Sequence, residues 1–517
     1  MIDRRQLLAG GGLLCLAAGA APTARSSARR FDLSPTARST ARAFGLSDVE
    51  TMARRLAGRT YSPPSQEMPA DLKALDYDGY RRIQFHHDRA LWANDGLKFR
   101  AEFFHRGNLF THRVDLYEVR DGRSAPILYS PDLFQYDPPL KEALPADFGF
   151  AGFRLEAKGL PGLDEIAAFL GASYFRSLGA HQRYGLSARA LAIGTGNPGG
   201  EEFPLFRAWW IVRPAPEDET ITVYGLLDGA STTGAYAFRI TPGAVTRFDV
   251  SCRLFPRVTL TSVGIAPLTS MYLYGPDTRA RFDDFRPAIH DSDGLQMTTG
   301  VGQAMWRPLR NPGVVQESGF LDQGVQAFGL MQRETRFEGY EDTEARYDLR
   351  PSALVEPAAS WGPGQVHLFE LPSDTEAADN IVAFWRPDAP LAAGRAHAFD
   401  YRLLWGAPDE GQKTEGSGRG PKLRIVRTHG GRAPDGDGRL FLVDYEGDAT
   451  IDAQGFAAAV RTGAGQAGPV QFTALGDKRI RAAFRFLPPA ATSADITLDI
   501  TGPDGLIAET WVYRWTA

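Results

Sequence analysis

Acidic residues in two short stretches of the chain could supply paired carboxylates. Asp379 stands two residues before Ile-Val-Ala-Phe-Trp, an apolar run typical of a buried strand. Asp291 and Asp293 follow the pair Ile289-His290, and residues two apart on an extended segment share one face. Cleavage of a glycosidic bond needs a proton donor at the leaving oxygen and a second group that activates the nucleophile, and two carboxylates usually serve. Burial beside an apolar strand can adapt one of them to hold a proton at neutral pH.

A structural interpretation of the same residues competes with the catalytic one. An Asp-Asn pair before a strand is most often a turn or cap, and Asp-Ser-Asp-Gly is a good turn sequence that could hold a cation loosely. Clustered acids are only probabilistic markers of a site. On these residues alone the structural interpretation is favoured, and His290 is interpreted as a hydrogen-bonded core histidine rather than as part of a proton relay.

A sugar site also needs flat apolar surfaces and polar clamps, because the C–H faces of pyranose rings pack on aromatic rings. Each candidate is more often core or rim than part of a subsite. The candidate substrate-binding residues are Tyr174, Arg176, Tyr184, Arg189, Tyr340, Trp361 and Trp385.

Composition limits the classes of partner and cofactor. The net charge is −5 without a basic run, which argues against nucleic acid and anionic lipid and permits a neutral polymer such as a glucan. Beyond Cys15, which lies in a leader-like stretch, the chain holds only Cys252, so an internal disulfide is not expected. Neither a CxxC nor an HExxH pair is present, so we predict no metal and no cofactor.

The first 24 residues read as an export signal. Arg4-Arg5 precede a mild Gly/Ala/Leu stretch that runs to Ala21, with small residues at suitable cleavage positions after it. Paired arginines before a weakly apolar core are similar to a twin-arginine (Tat) signal, a route that carries folded proteins. A plain secretory signal with a chance arginine pair is the alternative. Either way, we expect a soluble periplasmic protein.

Turn-rich composition and alternation predict an all-β fold. The chain has 55 Gly and 35 Pro, and stretches such as 221–227, 235–240 and 245–254 alternate between apolar and polar residues with turn signals between them. One helix is predicted from Ser47 and Glu50 as a capping box with apolar residues at helical spacing. Residues 163–170 are a second, short helical candidate.

A chain of 517 residues is too long for one compact core. The clearest linker is the polar, Gly-rich stretch 406–420, and about one hundred strand-like residues follow it. We therefore predict a large domain over 31–405 and an immunoglobulin-like sandwich over 421–517.

Several dense motifs carry a family resemblance. They are FLGASYFR (169–176), YGLSAR (184–189), GIAPLTSM (264–271), IHDSD (289–293) and DNIVAFW (379–385). Their order and spacing resemble the periplasmic glucan biosynthesis proteins of forms D and G, the D form more closely, over about residues 31–515. The resemblance implies a large mutarotase-like β-sandwich followed by a small Ig-like sandwich. It also implies inverting action on β-1,2-glucan, with Asp379 as general acid and Asp291 as a base acting on water through a relay, and so reverses the structural preference above.

One departure from the resemblance keeps several functions open. Hydrolytic relatives of the D form carry a longer segment where this chain has only His429 to Leu440, and theirs reaches the partner protomer of a dimer. Hydrolysis therefore competes with transglycosylation, including ring closure through an α bond. A non-catalytic glucan-binding scaffold for a membrane glucosyltransferase is the second hypothesis, and a sugar mutarotase is the weakest, since fold does not imply function. A homodimer is a candidate assembly.

Overall fold

The computed structural model describes residues 43–137, 144–145, 147–197, 199–407, 423–448, 450–451, 453–490, 493–503 and 507–517. The predicted signal (1–24) and most of the predicted linker (406–420) lie outside these residues. Strands hold 47% of the chain and helices 8%, which confirms the all-β prediction. In the described part of the chain, no helix is both long and apolar enough to cross a bilayer.

The chain divides into two compact units that interleave along the sequence. The first comprises residues up to Thr269 together with Ala377–Asp379 and Phe384–Gly406. The second comprises Ser270–Glu376, Asn380–Ala383 and the residues from Ala407 onward. The predicted division into domains at 31–405 and 421–517 stays a prediction.

Helices are few and short. The α-helices are α1 (Leu46–Ala57), α2 (Ala70–Lys73) and α3 (Tyr77–Arg81), and the 3-10 helices are His87–Arg89, Pro131–Leu133, Arg279–Arg281, Phe337–Gly339 and Tyr347–Leu349. Helix α1 is the predicted one, and it buries Val49, Ala53 and Leu56. Its start differs from the prediction, because Asp48 Oδ2 accepts the Gly45 N–H at 2.8 Å and Ser47 lies inside the helix.

Strands in the first half of the chain are listed here in order. They are β1 (Gln84–Phe85), β2 (Phe99–Phe104), β3 (Asp115–Arg120), β4 (Arg123–Pro126), β5 (Phe134–Gln135), β6 (Gly152–Ala157), β7 (Glu165–Leu170), β8 (Tyr174–Ser177), β9 (Ser187–Arg189), β10 (Leu191–Ile193), β11 (Leu205–Val212), β12 (Ile221–Asp228), β13 (Thr232–Thr241), β14 (Thr246–Pro256) and β15 (Val263–Ser270). The three alternating stretches predicted as strands form β12, β13 and β14. The helical prediction for 163–170 was wrong, because β7 pairs with strands on both sides and buries Ile166 and Ala167. Pairing in the sheet overrides a weak helical propensity there.

Strands in the second half continue the order. They are β16 (Tyr272–Tyr274), β17 (Ile289–His290), β18 (Gly294–Thr298), β19 (Ala304–Pro308), β20 (Gln316–Asp322), β21 (Ala327–Met331), β22 (Ser352–Pro357), β23 (Gly364–Glu370), β24 (Ile381–Pro387), β25 (His397–Gly406), β26 (Leu423–Arg432), β27 (Arg439–Gly447), β28 (Ala457–Thr462), β29 (Gln466–Ala467), β30 (Gln471–Ala474), β31 (Arg479–Leu487), β32 (Ser493–Thr501) and β33 (Thr510–Thr516).

The first unit is built as a sandwich of two sheets. One sheet runs in the order β2-β6-β7-β8-β9-β15, and the other runs β25-β14-β13-β12-β11-β3-β4, with β11 and β3 parallel. Aromatic rings fill the layer between them: Phe169 contacts Trp209 at 4.7 Å and Phe238 at 5.5 Å between centroids. Burying such large rings from both inner faces is the usual core of a β-sandwich.

In the second unit, one sheet runs β28-β32-β33-β19-β18-β21-β22, and another runs β26-β27-β31-β29. The C-terminal strands make a small sandwich, in which Phe441 contacts Trp511 at 5.5 Å and Phe484 lies 5.9 Å from the same ring. Strand β33 also pairs in parallel with β19 through Met305 and Trp306. The C-terminal sandwich therefore shares a sheet with the strands that follow the Asp291 segment.

Candidate functional site

Strand β24 begins directly after the pair Asp379-Asn380, and the Asn fixes its start. The Asn380 side chain accepts from Tyr272 N at 2.8 Å and donates to Tyr272 O at 2.9 Å and to Leu371 O at 3.0 Å. Its backbone N–H donates to Ser270 O at 3.1 Å. Asn380 is therefore the residue of this pair that caps the strand. The carboxylate of Asp379, in a residue only 6% exposed, is not needed for these bonds.

Asp379 shares its electrostatic surroundings in the first unit with strands β8 and β9. The pKa of Tyr174 is raised, chiefly by burial, with Asp379 and Glu201 adding to the rise and Arg189 opposing it. Burial acts to lower the pKa of Arg189, but the negative groups, Glu201 and Asp379 among them, outweigh it and raise that pKa. A buried carboxylate with a cation and a phenol around it is an arrangement suited to proton transfer.

Asp291 lies in the second unit, where strand β17 ends. Its backbone N–H donates to Met271 O at 2.8 Å, and the next residue, Ser292, accepts a hydrogen bond from Ser270 Oγ at 2.8 Å. Asn380 is bonded to the same stretch, Ser270–Tyr272. Hydrogen bonds therefore hold Asp291 and the residue that follows Asp379 to three consecutive residues.

A buried arginine accompanies Asp291. Arg350 Nε lies 3.6 Å from Asp291 Oδ1, and Arg350 Nη2 donates to Ala345 O at 2.8 Å. The guanidinium also lies over the ring of Tyr347, 5.4 Å from its centroid. An opposite charge this close favours the ionised form of a carboxyl group, which is the form that a general base requires.

His290 is packed as a neutral side chain. Its Nδ1 lies 2.8 Å from Gln332 Oε1, while Gln332 Nε2 donates to His290 O, also at 2.8 Å. The imidazole stacks on Tyr272 at 5.3 Å, and burial lowers the pKa of His290 to about 4. These contacts agree with the structural interpretation of this histidine.

Asp293, the second acid of the motif, serves the backbone. Its Oδ2 accepts from Arg333 N at 3.0 Å and from Glu334 N at 3.1 Å. Burial raises the pKa of Asp293 to about 6, against the opposing effect of the Arg333 cation and the two N–H groups. The carboxyl group therefore organises the start of the segment 333–350, in which Arg350 lies.

The substrate-binding candidates differ in what they can offer. Tyr340 and Trp385 have 0% exposed surface, so their ring faces are packed against protein. The Tyr184 hydroxyl donates to Glu165 Oε1 at 3.0 Å, and Arg176 Nε donates to Ser187 Oγ at 2.7 Å. Trp361 keeps partial exposure. Sugar binding by the whole set stays a prediction.

One group of potential metal ligands occurs elsewhere in the first unit. Ligand atoms of His87, Glu102 and Glu156 lie within 4.8 Å of one another. Both carboxylates are already paired, Glu102 with Arg154 and Glu156 with Arg100. Two adjacent cations neutralise these acids, so the donor set does not favour a metal ion.

Cavities do not by themselves mark the site. A groove of about 700 Å³ in the second unit is lined by Val301, Leu321 and Asp322 among others, and no predicted site residue lines it. A cavity of about 40 Å³ in the first unit includes Tyr174 with Phe169 and Trp209 in its wall. Among the described residues that line the large groove, Asp322 is the only carboxylate, so the groove lacks the pair of acids that cleavage of a glycosidic bond usually needs.

Sequence reasoning missed three residues of these surroundings: Glu201, Arg350 and Asn380. Glu201 follows a Gly-rich stretch, 194–200, which was a detectable signal for a tightly folded loop. Arg350 is one of many arginines in the chain, and nothing in its neighbourhood distinguishes it. Asn380 lies inside a quoted motif, but the sequence did not show which member of the Asp-Asn pair caps the strand.

Comparisons with known proteins show which proteins this chain is similar to. Residues 44–515 match the family described as "Periplasmic glucan biosynthesis protein, MdoG". A glucans biosynthesis protein G from Rhodopseudomonas palustris is 43% identical and covers 90% of this chain and 92% of its own length. A second from that species is 42% identical over 100% of both chains, and one from Vibrio cholerae is 43% identical over 90% of this chain and 86% of its own. These relatives carry the name of form G, and a closer likeness to form D stays a prediction.

Proposed function

The chain belongs to the family of the periplasmic glucan biosynthesis protein MdoG, and on that premise we propose that it is an enzyme acting on β-1,2-glucan. The protein is periplasmic, and it takes part in glucan biosynthesis. The finer proposal is that it controls the structure of the glucose backbone by inverting cleavage or transfer.

One observation carries the proposal. Asp291 and Asn380, the neighbour of Asp379, are both hydrogen-bonded to the stretch Ser270–Tyr272. Within the second unit, two residues that are widely separated in sequence are thereby held to one short segment.

The surroundings of the two acids suit different roles. Asp379 gives its proton to the glycosidic oxygen as the bond to the anomeric carbon breaks, and it ends as a carboxylate near Arg189. Asp291, with the Arg350 cation beside it, takes the proton of the attacking hydroxyl, directly or through a relay. The nucleophile enters from the face opposite the leaving group, so a β-linked glucose becomes α.

The nucleophile is water or a sugar hydroxyl. Strands β26 and β27 are paired as far as Arg432 and Arg439, so the segment 429–440 is the end of a hairpin, and Ala433 N donates to Gly438 O at 3.0 Å across its turn. His429 at its base contacts Asp277, with 2.8 Å between Nδ1 and Oδ1. A hairpin this short supports the transfer alternative, because a relay that conducts the proton of water has fewer members. A hydroxyl of the same chain, held close, then closes a ring through an α bond.

Mass spectrometry of products from linear β-1,2-glucan tests the proposal. We expect the purified mature protein to yield either shorter chains or rings, which lack the mass of one water. Asp379→Asn should abolish both, while Asp388→Asn, at an exposed acid just after the same strand, should keep them. A folded wild-type protein that leaves the glucan unchanged across a broad pH range would refute the proposed enzymatic activity.

A non-catalytic scaffold for a membrane glucosyltransferase is the second candidate. The C-terminal sandwich favours it, since such modules commonly mediate contacts. In a deletion strain, the scaffold predicts that Asp379→Asn restores glucan synthesis, whereas the enzyme predicts that it does not. Anomer interconversion of free hexoses would instead indicate a mutarotase.

Export by the Tat route and assembly as a homodimer belong to the same proposal. Replacing Arg4 and Arg5 by Lys should leave the protein in the cytoplasm if the pair is a Tat signal. Sedimentation of the purified protein gives its assembly state.

A further inference from the structure

Arg189 is a buried cation with a defined set of neighbours. The residue is 2% exposed and lies opposite Tyr174 in the pairing of β9 with β8. Its guanidinium lies over two rings, 5.5 Å from the Tyr174 centroid and 5.6 Å from that of Phe203. A charge buried to this extent is costly unless it is paired with an opposite charge.

Glu201 is the direct ionic partner. Its Oε1 lies 2.7 Å from Arg189 Nη1 and also accepts from Thr195 Oγ1 at 2.5 Å. The loop that carries it is fixed at its base, where Glu202 N donates to Ile193 O at 2.9 Å. Gly194 has a φ of +71° and closes the loop tightly, since an added Cβ would lie 3.2 Å from Gly200 O. The carboxylate of Glu201 is thus held in place by its backbone.

The same cation also acts on Asp379. Within the first unit, the charged and titratable groups described around this cation are Tyr174, Arg176, Glu201 and Asp379. Glu201 pairs with Arg189 directly and the Tyr174 ring lies beneath its guanidinium, whereas Asp379 interacts with it through charge. Arg176 is bonded to Ser187. The stabilisation that the cation gives to the ionised form of one carboxylate is weakened when the cation is paired with the other.

We propose that Glu201 is a positioning residue for the reaction: by holding Arg189 it keeps that cation from pairing fully with Asp379. The inference rests on the proposed function and deepens it. Asp379 can then hold the proton that the leaving oxygen needs. Once the proton has moved to that oxygen and the C–O bond has broken, the Asp379 carboxylate has a cation nearby, and a proton from solvent restores the acid.

The pH profile of Glu201→Gln tests the role. Gln keeps the shape of the side chain and removes its charge. The Arg189 charge is then no longer partly neutralised by Glu201, and its effect on Asp379 becomes stronger. A general acid must be protonated, and a stronger cation makes it lose its proton at lower pH. We expect the alkaline limb of the activity profile to move down by about one pH unit, which lowers activity about ten-fold at a fixed pH on that limb.

Glu202→Gln is the matched control. Glu202 is the next residue and accepts from Ser231 N at 2.9 Å, outside the Arg189 group. Its substitution should leave the alkaline limb in place. If wild-type enzyme is active and the Glu201→Gln limb coincides with the wild-type limb, the inference is overturned while the proposed function stands.

A second measurement does not depend on turnover. In protein labelled with ¹³C at Asp carboxyl carbons, the signal lost in Asp379→Asn identifies that residue. We expect its titration midpoint to fall in Glu201→Gln and to stay unchanged in Glu202→Gln. An unchanged midpoint in Glu201→Gln overturns the inference even if the wild-type protein proves inactive on glucan.

Discussion

Each of the two buried aspartates has a buried arginine in its electrostatic surroundings, and the two arginines are engaged differently. Arg189, near Asp379, is paired at 2.7 Å with another carboxylate, Glu201. Arg350 lies 3.6 Å from Asp291 and gives its Nη2 hydrogen bond to a neutral carbonyl. The Arg189 cation is therefore paired directly with an acid other than Asp379, whereas the Arg350 cation lies directly beside Asp291.

This difference supports the roles that we propose for the two acids. A carboxyl group with a cation directly beside it is favoured in its ionised form, as a base must be. A carboxyl group beside a cation already paired elsewhere keeps more of its ability to hold a proton, as an acid must. Asp291 suits the base and Asp379 the acid, each from its own surroundings.

The largest effect should come from removing either carboxylate. We expect Asp379→Asn and Asp291→Asn each to lower activity on β-1,2-glucan by about 10³-fold. An aryl glycoside with a good leaving group needs no proton donor, so Asp379→Asn should recover much of its activity on that substrate. Asp291→Asn should not. Initial rates on both substrates check this, and equal recovery in both variants would contradict the assignment.

The strand framework of the site could be predicted from the sequence because its signals are local. Alternation gave β12 to β14, and the apolar run after Asn380 gave β24. The stretch 163–170 shows the limit: Glu, Ala and Leu favour helix, but its neighbours β6 and β8 make it a strand. Such pairing is decided by distant residues, and no local pattern reports it.

A smaller effect should follow from removing the cation beside Asp291. In Arg350→Gln the base ionises only at higher pH, so the acidic limb of the activity profile should move up by about one pH unit. Arg346→Gln is the control, because Arg346 lies in the same segment and pairs instead with Asp348. Circular dichroism verifies folding. An acidic limb that stays in place in Arg350→Gln would remove the distinction between the two arginines.

The smallest effect on catalysis, and a clear one on stability, is expected at Asp293. Burial raises the pKa of Asp293 to about 6, above its value in the unfolded chain, so ionising it opposes folding. Its stabilising effect is complete below about pH 4 and is lost as the pH rises through about 6. Asp293→Asn cannot ionise but can still accept the two N–H bonds.

Denaturant unfolding of both proteins at several pH values measures this. Relative to Asp293→Asn, the wild type should lose on the order of 2 kcal/mol of unfolding free energy between pH 4 and pH 7. A difference that does not change with pH would mean that Asp293 is already ionised at pH 4.

The interaction of Arg189 with both Glu201 and Asp379 could not be predicted from the sequence. Glu201 and Asp379 are far apart in the chain, and each of them has many acidic alternatives among the 62 Asp and Glu residues. Arg350 was hidden likewise among numerous arginines. Motif resemblance selected the acids, but the partners that set their protonation depend on how strands are paired and loops closed.

The configuration of the first product tests the central claim most directly. Proton NMR during the reaction with linear β-1,2-glucan resolves α from β anomeric signals before they equilibrate. Inversion predicts that the earliest new signal is α, at a reducing end if water attacks and in a stable glycosidic bond if a sugar hydroxyl attacks. An early β signal would mean retention through a covalent intermediate and would contradict the roles given to Asp379 and Asp291.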